Sequence, residues 1–123
     1  MNHEISTYVI IRTSFEGLHC WKNIPSGHRS QFLKNPHRHV FNFELYFKVF
    51  HDDRDVEFFD MKGKIDEVLH DWFPKEVDEL LPNMGSISCE MLANRLLKHF
   101  EDQNCNTVRV FEDSENSAVS FFD

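Results

Sequence analysis

Polar and apolar residues alternate most regularly between His39 and Phe50 (HVFNFELYFKVF), where Phe41, Phe43, Leu45, Phe47 and Val49 fall on one face and Asn42, Glu44, Tyr46 and Lys48 on the other. A period of two marks a half-buried strand. Residues 4–13 (EISTYVIIRT) are rich in β-branched side chains and predict an earlier strand. Between the two, residues 14–37 carry Gly17, Pro25, Ser26, Gly27 and Pro36 without a sustained period, which predicts a long loop of the kind that usually carries function. A polar turn at His51 to Asp55 ends the long strand, and a short extended stretch from Val56 to Phe59 is expected after it. The period then becomes helical from Asp60 to about Phe73, with Ile65, Val68, Leu69, Trp72 and Phe73 on the apolar side, Asp60 as cap and Pro74 as stop. Residues 74–87, with Pro82, Asn83 and Gly85, predict a second connection. Ser88 is placed to cap a second helix whose apolar face is Met91, Leu92, Leu96, Leu97 and Phe100, ending before the polar stretch Glu101 to Asn106. Thr107 to Phe111 and Ala118 to Phe122 predict two short strands forming an antiparallel hairpin.

This ββααββ order implies a single α+β domain over residues 1–123, a four-stranded antiparallel sheet with two helices on one face. The open sheet leaves two unpaired edges, which closure into an oligomeric barrel would satisfy. The length and the 41% hydrophobic content suffice for one core. A formal charge of −8, from 21 acidic and 13 basic side chains, argues against nucleic acid or an anionic membrane as partner, since phosphates are held by clustered Lys and Arg. A small neutral or weakly charged ligand fits better. No apolar run approaches the roughly 20 residues of a membrane span, and the first residues lack the basic start of a secretory leader, so a cytoplasmic location is expected. Cys20, Cys89 and Cys105 are odd in number and unevenly spaced, which predicts reduced thiols. The 13 phenylalanines fall mostly in strand-like segments, and those near the chain ends suit subunit contacts.

His37 and His39 lie two apart at the start of a strand, so both imidazoles point to one face and can converge on a metal ion. An exposed pair at a strand edge is the alternative. A third ligand decides between them, and His19 is the natural candidate because it follows the first strand, with His28 as a competitor. Three neutral imidazoles leave one position open, the composition of a catalytic zinc site.

Four blocks carry a further likeness: TSFEGLH (13–19), PHRHVF (36–41), SCEMLA (88–93) and VRVFED (108–113). In order and spacing they resemble the 6-pyruvoyl-tetrahydropterin synthase and 6-carboxytetrahydropterin synthase family, over about Thr13 to Phe122. The resemblance implies a tunnelling fold, in which sheets of several subunits close into a barrel with active sites at subunit boundaries, most readily as a hexamer of two stacked trimers. It implies Zn2+ on His19, His37 and His39, Glu112 gripping a pterin, and Glu90 reaching the same pocket. The substrate implied is dihydroneopterin triphosphate or a related pterin, and the reaction a lyase step. A carboxylate suits the pterin role chemically, since it accepts the paired N–H donors of a 2-aminopyrimidinone ring. Glu112 can equally be an exposed acid at a strand end, and Glu90 a carboxylate that stabilises a helix N-terminus.

The likeness departs from the family at the catalytic base. Members carry a cysteine shortly before the H-x-H, assisted by an Asp-His pair from between the helices. Here residues 28–39 (HRSQFLKNPHRH) contain no cysteine, and Ser30 or Gln31 stands in its place. Val77-Asp78-Glu79 matches the family's L-D-H block, so Asp78 is kept and Glu79 replaces the histidine. A serine hydroxyl is a poor base without an activating partner. The remaining candidates are Asp78 or Glu79, then Cys89 at a helix N-terminus, while Cys20 and Cys89 also read as small buried apolar side chains. A pterin- or purine-binding protein without the reaction, and a metal-stabilised oligomeric scaffold, are the competing readings.

Overall fold

In the computed structural model, which describes residues 3–123, the chain forms strand β1 (Thr7–His19), strand β2 (His37–Val49), helix α1 (Phe58–Trp72), helix α2 (Cys89–His99), strand β3 (Cys105–Glu112) and strand β4 (Ser117–Phe121). Single 3-10 turns lie at Gln31–Lys34 and Glu101–Gln103. The sheet order is β1-β2-β3-β4 and every pairing is antiparallel. The expected α+β layout and the antiparallel four-stranded sheet are therefore present, as an open sheet.

The core lies between the sheet and the helices. Phe41, Phe43, Leu45 and Phe47 of β2 meet Val108 and Val110 of β3, Ile65 and Leu69 of α1, and Leu92 and Leu96 of α2, all essentially closed to solvent. Both helices thus cover the same face, as the alternation of β2 requires. Thr13 is buried on that face too, and its hydroxyl donates to Asp66 of α1, tying the helix to β1.

Several boundaries differ from the sequence expectation. β1 does not end at residue 13 but continues to His19, and β2 begins at His37 rather than His39. The two pair in unbroken register from Thr7 opposite Val49 to His19 opposite His37. The partner strand and the burial of Phe15, which packs on His70 and Phe73, override the irregular local pattern after Thr13. Val56 to Phe59 is not a separate extended stretch, because Phe58 already opens α1. The cap is Glu57, whose side chain accepts from the Asp60 backbone N at 2.8 Å, so Asp60 sits inside the first turn. Ser88 caps α2 as expected, accepting from Met91 N at 3.1 Å. Met91, however, is 57% exposed, and Cys89 and Ala93 take its place on the buried face. β3 starts two residues early at Cys105, and Phe122 falls outside β4.

The segment after α1 closes one end of β1. Leu18 N donates to Pro82 O at 2.9 Å, Met84 N to Leu18 O at 2.7 Å and Cys20 N to Gly85 O at 2.9 Å. Gly17 makes this approach possible, since a Cβ there would stand 2.5 Å from Met84 Sδ. No helix among the described residues is long and apolar enough to cross a membrane.

Candidate metal centre

His19 ends β1, His37 opens β2 opposite it, and His39 lies two residues on, so all three imidazoles fall on the helix-covered face. One nitrogen from each ring lies within 4.8 Å of the others, and the ring centroids are 4.6 to 4.8 Å apart.

The other nitrogens are all engaged. His19 Nδ1 is 3.1 Å from Ile87 O, His37 Nδ1 is 2.8 Å from Asn35 O, and His39 Nδ1 meets the Asp113 carboxylate. A carbonyl only accepts, so in His19 and His37 the proton is on Nδ1 and Nε2 carries a lone pair. Those two Nε2 atoms are buried and have no hydrogen-bond partner. Glu112 stands beside the cluster, with Oε1 3.6 Å from His19 Nε2 and Oε2 3.9 Å from His39 Nε2. Lone pairs and a carboxylate confronting one another with no donor between them are costly to bury, and a cation is what such a donor set accommodates. Burial lowers the His19 pKa from its ordinary value, against the Ile87 hydrogen bond and the Glu112 charge, which raise it, while His37 and His39 lower it further. That keeps the imidazole neutral, the form that ligates.

A cleft of about 520 Å³ opens on this cluster, lined among others by His19, His37, Trp21, Cys89, Glu90 and Glu112. Glu112 reaches it from the end of β3 and Glu90 from the exposed first turn of α2. Cys89 is buried, and its thiol is pushed up to about 12, first by burial, then by the charges of Glu112 and Glu90 and a hydrogen bond to Glu112. It is held as a neutral thiol, so its place at a helix N-terminus does not make it a thiolate.

The other candidates lie apart. His28 is outside the cluster: its Nδ1 accepts from Ser30 N at 3.0 Å and its ring packs on Trp21. Ser30 precedes the 3-10 turn and Gln31 Nε2 donates to Pro25 O at 2.7 Å, and neither lines the cleft. Asp78 and Glu79 sit on the connection between the helices and do not line the cleft of their own chain, although Glu79 Oε2 is buried without a partner. Cys20 does line it, with Sγ 3.8 Å from Ser86 Oγ. Sequence reasoning missed Asp113 and the carbonyls of Asn35 and Ile87. A carboxylate next to Glu112 was the one signal available, since main-chain acceptors leave no trace in residue types.

Neither the family models nor the curated proteins compared with this chain include a match to it.

Proposed function

We propose that the chain is a zinc-dependent lyase of the pterin synthase kind, acting on dihydroneopterin triphosphate or a related pterin. The observation that carries this reading is the set of three clustered imidazoles with their Nδ1 atoms engaged, beside Glu112 and at a cleft that His19, His37 and Glu112 line. Zinc bound there supplies Lewis acidity toward a substrate hydroxyl and lowers its pKa.

The chain's own groups then divide the remaining work. Glu112 lines the cleft at the end of β3 and brings a carboxylate suited to accept ring N–H donors or a proton. Glu90 stands at the mouth, suited to a second polar contact with the ligand. Asp78 and Glu79 belong to the reaction only if a neighbouring copy delivers them, which a barrel of joined sheets would allow. We propose that barrel as a hexamer of two stacked trimers, in which the outer edges of β1 and β4 find partners.

The test is to incubate the zinc-loaded protein with dihydroneopterin triphosphate and identify products by mass. A new pterin product from the parent protein, lost in Glu112→Gln with zinc retained, is the expected result. No turnover of any dihydropterin, with pterin fluorescence still reporting binding, would favour a second reading, a pterin-binding homologue without chemistry. The elevated Cys89 pKa speaks for that second reading, since it leaves Cys89 a neutral thiol rather than an activated one.

A further inference from the structure

Successive residues of a strand point to opposite faces, so Asp113, following Glu112, would be expected to turn away from the cluster. It does not. Asp113 and Ser114 have φ of 49° and 60°, two left-handed residues in a row, and Glu115 N donates back to Glu112 O at 2.9 Å to close the turn. Asp is among the side chains that tolerate this region, and the turn swings its carboxylate to the cluster side.

The turn is then fastened to β2 just after His39. Asp113 N donates to Val40 O at 2.8 Å, Val40 N donates to Asp113 Oδ1 at 2.9 Å, and Asn42 Nδ2 donates to Ser114 Oγ at 3.1 Å. With Oδ1 committed to Val40, Oδ2 is the atom left to meet His39 Nδ1. His19 and His37 are oriented by main-chain carbonyls, so His39 is the one member of the set whose ring is held by a replaceable, charged side chain.

Resting on the metal-site reading of the three histidines, we propose that Asp113 is a positioning residue that fixes His39 as the Nδ1–H tautomer and aims its Nε2 lone pair at the point faced by His19 and His37. A carboxylate behind a ligating imidazole also raises the electron density on the ligating nitrogen.

Asp113→Asn tests this with little change in shape. The Val40 N–H keeps the amide oxygen on its side, so the amide NH₂ must face His39 Nδ1, which can then only accept. Long-range proton–nitrogen NMR of the chelator-treated protein is expected to show Nδ1–H for His39 in the parent and Nε2–H in Asp113→Asn. Cobalt(II) titration is expected to show binding weaker by about 10 to 100-fold in the variant. Ser114→Ala, which loosens the same turn but leaves the carboxylate, is expected to stay within about twofold of the parent. An Nε2–H tautomer in the parent, an unchanged tautomer and affinity in Asp113→Asn, or an equal loss in Ser114→Ala would each overturn the assignment. If the parent takes up no cobalt while its His39 shows the Nδ1–H tautomer that Asp113→Asn loses, the metal reading fails and the hold of Asp113 on the ring stands.

Discussion

The two ends of β2 obey one rule and reach opposite outcomes. From Phe41 to Phe47 every second side chain enters the core and is closed to solvent, while two and four residues before Phe41 the same face carries His39 and His37. The difference lies in what covers each end. Over the middle, α1 and α2 bring Ile65, Leu69, Leu92 and Leu96, so burial is carbon against carbon. Over the histidine end lie residues 82–87 and the first turn of α2, which bring backbone carbonyls, a capping serine and the Glu90 carboxylate. Alternation thus decides only which face a residue takes, and the covering element decides whether that face becomes core or site.

The largest effect that would sharpen the contrast is expected from Phe43→Ala, which opens a cavity in the carbon-packed end. It should cost about 3–5 kcal/mol in denaturant unfolding. The metal content of the protein that remains folded should be unchanged, and a parallel loss of both would mean the two ends are not separable.

Removing a ligand should do the reverse. His37→Ala is expected to weaken zinc binding by at least about 100-fold, more than the loss of a supporting partner costs. Its metal-free stability should change by less than about 1 kcal/mol, because the deleted Nε2 is a buried atom with no partner. Equilibrium dialysis and unfolding on the same samples check both halves, and retained full zinc occupancy would remove the site.

Gly17→Ala probes the hinge between the regions. The new Cβ would lie 2.5 Å from Met84 Sδ and 3.3 Å from the Pro82 carbonyl, so Met84 must shift and the covering segment must give slightly. A loss of about 1–3 kcal/mol is expected. Because that segment leads to Ile87, zinc affinity should fall with it, whereas a purely local repacking of Met84 would leave affinity untouched.

The smallest effect is a pH dependence confined to the histidine end. The folded-state pKa of His19 lies below its ordinary 6.5. Above 6.5 the ring is neutral whether folded or unfolded and contributes no slope. Below 6.5 the unfolded chain takes up a proton first, so stability of the metal-free protein should fall until the lowered folded pKa is reached, and then level off. Unfolding midpoints across that range, compared with His19→Gln, isolate this slope. A stability that rises on acidification through 6.5 would contradict the direction.

Much of the frame was legible in local pattern. The period of β2, the two helices, the Ser88 cap and the shared face of His37 and His39 follow from the spacing of neighbours along the chain, and periodicity and capping are settled within a few residues, while His19 stands as a candidate third ligand beside His28. The structure alone decided how far β1 runs, because its last six residues are strand by virtue of pairing with β2. It also decided that Met91 faces out, that His28 stands aside and that Asp78 and Glu79 stay off their own chain's cleft. Most of all it decided which atoms of the histidines are free. His19 is oriented by a carbonyl 68 residues away and His39 by a carboxylate 74 residues away. Residue types and spacing determine which side chains can share a face, but the proton on an imidazole follows its hydrogen-bond partner, and that partner is brought near only by the folded chain.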